Sequence, residues 1–145
     1  MLRIPKEVDY GVLILLALHE ADSDAVLSAT EIASRRGLPQ QQVAKLLKLF
    51  QRNGIVDSTR GPRGGYKLVR SPESLDLKTI YAVIEGPLNL AECIEGSECK
   101  VAGVCNLKPH LVLLNTAIQD AFSNISIRSI SENLPYGTFS IGAGV

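Results

Sequence analysis

The chain has 145 residues, 46 % of them apolar, and its 15 basic residues balance its 15 acidic ones. That length accommodates one domain, or a small domain with an appendage, and the composition can bury a core. A net charge of zero excludes a globally basic nucleic-acid binder, so any electrostatic function has to be local.

The longest apolar run, residues 12–18, stops at His19 and Glu20, far short of the roughly 20 residues that a membrane span needs. The opening MLRIPKEVDYG places two basic residues ahead of that run, but Glu7 and Asp9 follow and no small-residue cleavage site is present. It reads as a mature N-terminus and not a signal peptide, so a cytoplasmic protein is expected, with no membrane partner. Residues 6–20 predict a helix that is apolar nearly all round, as suits one packed by several neighbours. Asp22, Ser23 and Asp24 then form a polar turn.

In LSATEIASRRG, Ser28 and Glu31 have capping-box spacing, Leu27 can staple the entry and Gly37 stops the helix. The chain restarts at Pro39. The segment QQQVAKLLKLFQRNG predicts a second helix with Val43, Leu46, Leu47 and Phe50 on one face and Gly54 closing it. Two short helices joined by a tight glycine turn form a helix-turn-helix signature. IVDSTR and YKLVR follow as strands joined by GPRGG. Helix, helix and hairpin in this order predict a winged helix, in a fold that is mainly α with one small β-hairpin.

Charge gives that fold a task. Between residues 35 and 70 lie nine basic side chains, Arg35, Arg36, Lys45, Lys48, Arg52, Arg60, Arg63, Lys67 and Arg70, against the single acid Asp57. A solvated surface ordinarily mixes its signs, so the segregation points to a surface that tracks phosphates of double-stranded DNA. The helix beginning at Pro39 is the expected major-groove reader. Gln40, Gln41 and Gln42 stand at its start, and a glutamine amide can pair with adenine through two bonds. Lys45, Lys48 and Arg52 are expected on phosphates, and Arg60, Arg63 and Lys67 of the wing on the backbone or minor groove. Tyr66 is expected to pack the wing on the core.

Next, DLKTIYAVIEG predicts a short helix capped by Asp76 and ended by Gly86. After Pro109 a long helix carries Leu111, Leu114, Ile118, Ala121, Phe122 and Ile125 at three- and four-residue steps. Such a stripe beyond a complete small domain predicts a seam to a second copy, and paired DNA half-sites call for paired heads. A shorter helix is expected over 127–133, and the final PYGTFSIGAGV has no periodicity. The expected organisation is a winged helix-turn-helix over 1–86, a cysteine loop over 87–107, a dimerisation helix region over 108–134 and a flexible tail over 135–145.

All three cysteines, Cys93, Cys99 and Cys105, fall at equal steps in the loop ECIEGSECKVAGVC. In a reducing compartment an odd number of clustered thiols points away from a disulfide, except as a redox switch. Structural zinc sites pair their ligands at gaps of about two to four residues. Two gaps of five suit a wider object, an iron–sulfur cluster arched over by a loop that Gly96 and Gly103 let curve.

With the wing sequence RGPRGGYKL, the helix ending IEG, the cysteine spacing and the long helix that follows, the chain closely resembles the IscR/NsrR family of iron–sulfur transcription regulators. The resemblance runs from MLRIPKEVDYG to about Asn133, and the opening together with LPQQQVAKLLKL is similar to regulators of the SUF cluster-assembly system. It implies a homodimeric repressor whose DNA affinity follows cluster state, sensing iron or cluster supply, oxygen or nitric oxide, with Cys93, Cys99 and Cys105 as thiolate ligands. IscR-like members place a histidine three residues after the last cysteine, where this chain has Lys108; its nearest imidazole is His110. NsrR-like members use an aspartate from the other subunit, which corresponds here to Asp9 in VDYG. Asp9 of the partner subunit is therefore the first choice for the fourth ligand, with a four-iron four-sulfur cluster, and His110 the second, with a two-iron two-sulfur one. Ala44 stands where IscR has a glutamate used in base readout, so the operator sequence is not transferable.

An enzyme is not expected, because His19 and His110 lie far from any motif serine. The competing expectation is a cluster-free winged-helix regulator that senses thiol oxidation or a small effector.

Overall fold

In the computed structural model, which describes residues 3–96 and 98–133, the first apolar run forms helix α1, Lys6–His19. Val8, Ile14, Leu15, Leu16, Ala17 and Leu18 are all buried. A helix buried on so many sides must admit close neighbours. At Gly11 a Cβ would stand 2.7 Å from Ile84 Cδ1 and 3.0 Å from Phe50 Cζ.

Helices α2, Ala29–Arg36, and α3, Gln40–Arg52, form the helix-turn-helix. The capping box is in place. The Glu31 N–H donates to Ser28 Oγ at 3.2 Å, and the Ser28 N–H donates to Glu31 Oε2 at 2.7 Å. Gly37 closes α2 in the left-handed region. The inward face of α3 is the set that its spacing predicts, Val43, Leu46, Leu47 and Phe50.

Strands β1, Val56–Thr59, and β2, Gly65–Leu68, form the antiparallel wing, with Val56 opposite Leu68 and Thr59 opposite Gly65. Leu27 extends this hairpin from the entry to α2: its N–H donates to the Tyr66 carbonyl at 3.0 Å and its carbonyl accepts from the Tyr66 N–H at 2.8 Å. The Tyr66 ring packs against the core as expected.

Helix α4, Leu77–Glu85, starts where the Asp76 carboxylate accepts from the Thr79 N–H at 2.7 Å. The cysteine loop follows, with single 3₁₀ turns at Glu92–Ile94 and Ala102–Val104. Helix α5, Lys108–Ser123, then runs back along α4, and α6, Ile127–Ser131, returns to pack on α1. Ile127 is completely buried in the same core as Ile14 and Phe50. Arg128 of α6 pairs with Glu73, beyond the wing, and with Glu132 at 2.7 Å. The last helix thus ends two residues earlier than the span 127–133, and the tail over 135–145 lies outside the described residues. No helix among the described residues is long and apolar enough to cross a membrane.

Candidate nucleic-acid interface and cysteine loop

The outer face of α3 carries Gln41, Ala44, Lys45, Lys48, Leu49 and Arg52 around a shallow groove of about 460 Å³. The structure separates the three glutamines. Gln40 Nε2 donates to Thr30 Oγ1 of α2 at 2.7 Å. Gln42 is half-buried, with its Oε1 enclosed and unpaired among the described residues. Gln41 is exposed on the groove. Successive helical residues step by about 100°, so three in a row cannot share one face.

Lys45, Lys48 and Arg52 are exposed along α3, Arg60 and Arg63 at the wing tip, and Lys67 on β2. Among the described residues none of these six forms an ion pair, whereas Arg36 is bound to Glu20 at 2.6 Å. Lys67 lies opposite Asp57 in the hairpin register, so it is the wing cation with an acid nearest along the ladder. Unneutralised cations beside a groove on the outer face of a helix are the arrangement that exchanges counterions for phosphates.

In the cysteine loop Cys93 is half-buried in the first 3₁₀ turn, Cys99 is exposed, and Cys105 is half-buried just past the second turn. All three are free thiols. Among the described residues no three His, Cys, Asp or Glu side chains are gathered closely enough to hold a metal ion. The donor chemistry nonetheless fits an iron–sulfur cluster: three thiols on one chain segment, each at least partly accessible, with Gly96 in the left-handed region that lets the backbone turn.

Of the expected fourth ligands, Asp9 is exposed in the first turn of α1 and its carboxylate has no partner among the described residues. His110 is exposed near the start of α5, its Nδ1 facing the Asn106 carbonyl at 3.1 Å.

The stripe along α5 divides in two. Ile118, Ala121, Phe122 and Ile125 are half-buried, and the Phe122 ring meets Tyr81 of α4 edge-on with centroids 6.1 Å apart. Toward the N-terminal end Leu111 is half-buried and Leu114 is exposed by 51 %, with Val112 and Leu113, outside the predicted stripe, exposed by 43 % and 70 %. Sequence spacing missed a set of polar contacts on the inner side of α5. Asn115 Oδ1 accepts from the Leu90 N–H at 2.9 Å, and Gln119 Nε2 donates to the Leu88 carbonyl at 2.8 Å. The signal was available: Asn115 and Gln119 are one turn apart inside an apolar stripe, a place where amides are costly unless bonded.

A helix-turn-helix with a glycine-tight wing and an uncompensated basic face defines a winged-helix DNA-binding protein. The chain belongs to the Rrf2 family, described as iron-dependent transcriptional regulators, whose pattern matches residues 4–133. It is 24 % identical over 134 residues to the HTH-type transcriptional regulator NsrR of Bacillus licheniformis, covering 91 % of this chain and 94 % of that one. In structure it is similar to CymR, the global cysteine regulator of B. subtilis, with a TM-score of 0.74 at 24 % identity over 93 % of this chain and all of that one. The IscR of T. potens gives 0.73 at 22 % identity over 92 % and 89 %. The chain is a transcriptional regulator that binds DNA, and not an enzyme.

Proposed function

We propose that the protein is a homodimeric repressor whose grip on operator DNA is set by an iron–sulfur cluster in the loop 87–107. The genes it would control are those of iron–sulfur cluster assembly. The observation that carries this reading is the placing of every thiol of the chain, all free, in one loop fastened to α5 beside the winged-helix head. Cys93, Cys99 and Cys105 would hold the cluster, with the partner subunit's Asp9 as fourth ligand and His110 as second choice. A carboxylate goes with a four-iron cluster and a histidine with a two-iron one. When bound, the cluster supplies an iron–sulfide core open to oxygen, nitric oxide or loss of iron, since an oxygen donor is a weak ligand for it.

The chain's own residues do the rest. Closing the three thiolates together orders the loop, and the loop is bonded to α5, whose exposed Leu113 and Leu114 would pack on the second copy. A change at the loop therefore alters how the two heads are set. At the DNA, Gln41 would read a base edge while Gln40 and Gln42 shape the start of α3. Lys45, Lys48, Arg60, Arg63 and Lys67 would meet phosphates or the minor groove. A free-energy difference of about 3 kcal/mol between two arrangements changes operator affinity more than a hundredfold.

A second reading has its own support. The thiols are not gathered among the described residues and Cys99 is exposed, which suits a cluster-free sensor of thiol oxidation. Anaerobic reconstitution with ferrous iron and sulfide separates the two. The cluster reading expects visible charge-transfer bands, bound iron and sulfide, and a change in operator affinity between loaded and empty protein. A colourless product that binds DNA as before, and responds to peroxide instead, hands the protein to the second reading.

A further inference from the structure

Asn115 is the one buried polar side chain among the described residues, 6 % exposed in the middle of an otherwise apolar stretch of α5. A buried amide is costly unless its bonds are made, so each of its contacts bears on why it is there. Its Oδ1 accepts from the Leu90 N–H at 2.9 Å and its Nδ2 donates to Asn89 Oδ1 at 3.3 Å. One turn on, Gln119 Nε2 donates to the Leu88 carbonyl at 2.8 Å and reaches Asn89 Oδ1 at 3.5 Å. Asn89 Nδ2 in turn donates to Glu95 Oε1 at 2.9 Å.

This network brackets one cysteine. Residues 88–90 precede Cys93 and Glu95 follows it, and the 3₁₀ turn between them closes with Ile94 N–H to the Ala91 carbonyl at 3.0 Å and Glu95 N–H to the Glu92 carbonyl at 3.1 Å. Cys99 has no such frame. Among the described residues the stretch 98–104 hydrogen-bonds only within itself, from Ala102 N–H to the Cys99 carbonyl and from Val104 N–H to the Val101 carbonyl, each at 3.1 Å. Val101 and Val104 there are exposed by 56 % and 82 %.

We infer that Asn115, acting through Asn89 and supported by Gln119, is a positioning residue that presets Cys93 as the fixed thiol of the loop while Cys99 swings. The same bonds make α5 the element that registers the loop's state, because Cys93 cannot shift without pulling on Asn115. The cluster part of this inference rests on the function proposed above; the positioning part concerns the metal-free chain and stands apart from it.

The experiment is pulsed alkylation of the reduced, metal-free full chain with N-ethylmaleimide, each cysteine followed by mass spectrometry. In the unaltered chain Cys93 reacts more slowly than Cys99. Asn115→Leu speeds Cys93 by about fivefold or more, the effect of losing one buried hydrogen bond, and leaves Cys99 unchanged. Asn115→Asp keeps the acceptor for the Leu90 N–H but loses the donor to Asn89, and falls between. Asn89→Ala cuts the link to Glu95 and takes the acceptor from Asn115 Nδ2 while leaving the sequence of α5 and the bond from the Leu90 N–H intact, so it gives the answer if Asn115→Leu does not fold. Equal acceleration of all three thiols, or an unchanged Cys93 rate in both variants, overturns the inference. Parallel anaerobic loading, with iron and sulfide measured, distinguishes the two levels. Selective Cys93 release in a chain that takes up no iron upholds the positioning and rejects the cluster.

Discussion

Ile127 donates its backbone N–H to the Leu75 carbonyl at 2.9 Å, and the Leu77 N–H returns to the Ile125 carbonyl at the same distance. The pair of bonds hems α6 onto the strip between the wing and α4, and the Ile127 side chain fills the head's core. Ile127→Ala should therefore destabilise the whole chain by about 2–5 kcal/mol, the range for emptying a buried isoleucine site. Urea unfolding followed by circular dichroism should show a lower midpoint with an unchanged slope. A loss below about 0.5 kcal/mol, typical of surface sites, would make α6 an ornament on the head.

The wing is fixed as tightly at its other side. A Cβ on Gly65 would stand 2.6 Å from the Leu27 carbonyl carbon and 2.7 Å from its oxygen, both backbone atoms with no rotamer to retreat into. Gly65→Ala should push β2 off Leu27 at a cost of about 1–3 kcal/mol, as overpacking does. The same Cβ would stand 2.9 Å from Ser28 N, the N-cap of α2, so the start of α2 should loosen with the wing while operator affinity drops. Unaltered DNA binding with an unaltered melting curve would show that the wing gives way freely.

The local features were open to inspection in the sequence. Ser28 and Glu31 announce the capping box, the spacing from Val43 to Phe50 announces the buried face of α3, and GPRGG announces the turn between β1 and β2. What stayed hidden depends on which surfaces meet. Helical spacing finds the α5 stripe, yet it cannot say that Phe122 turns to Tyr81 of the same chain while Leu114 stays outside. The bond from Leu90 to Asn115 spans 25 residues, beyond any periodic signal. The division among Gln40, Gln41 and Gln42 was partly legible from helical geometry; the capture of Gln40 by Thr30 was not.

Arg63 sits exposed at the wing tip without an ion pair among the described residues. Arg63→Ala should weaken binding to all duplexes alike and reduce the slope of log affinity against log salt by about one. Gln41→Ala should leave that slope alone and relax preference at one base pair, at a cost of about 1–3 kcal/mol against the best operator. An unchanged salt slope for Arg63→Ala would remove the wing tip from the contact surface.

The capping box also sets a pH dependence. The Ser28 backbone N–H, then the Ser28 hydroxyl, hold the Glu31 carboxyl below the usual carboxylate range. Glu73 is lowered too, first by its own backbone N–H and then by Arg128. A group depressed in the folded state lends stability above its unfolded pKa and loses it as pH falls through the folded value. Glu31→Gln can still accept from the Ser28 N–H but cannot titrate. Thermal midpoints measured from about pH 3 to about pH 7 should therefore fall less steeply at the acid end for this variant than for the unaltered chain. Parallel curves would mean that Glu31 is equally anchored after unfolding.

The proposed fourth ligand can be tested across the subunit boundary. Asp9 leaves its carboxylate uncommitted among the described residues, whereas His110 already faces the Asn106 carbonyl. The first turn of a helix also favours an acid at position 9, so stability alone does not discriminate. In anaerobically loaded protein, Asp9→Ala should hasten loss of visible absorbance to a chelator at least tenfold, about the effect of losing a metal-site contact, while His110→Ala stays near the unaltered rate. Mixed dimers give the geometry. With Asp9→Ala and Cys99→Ser on the same chain, a cross-subunit site leaves neither cluster position complete; with the two changes on different chains, one position stays whole and should load to half the iron. The reverse pattern, half loading with both changes on one chain and none with them on different chains, would confine the ligand to one chain. Equal loading of the two mixed dimers would remove Asp9 from the ligand set, and a faster loss in His110→Ala would give the position to the imidazole.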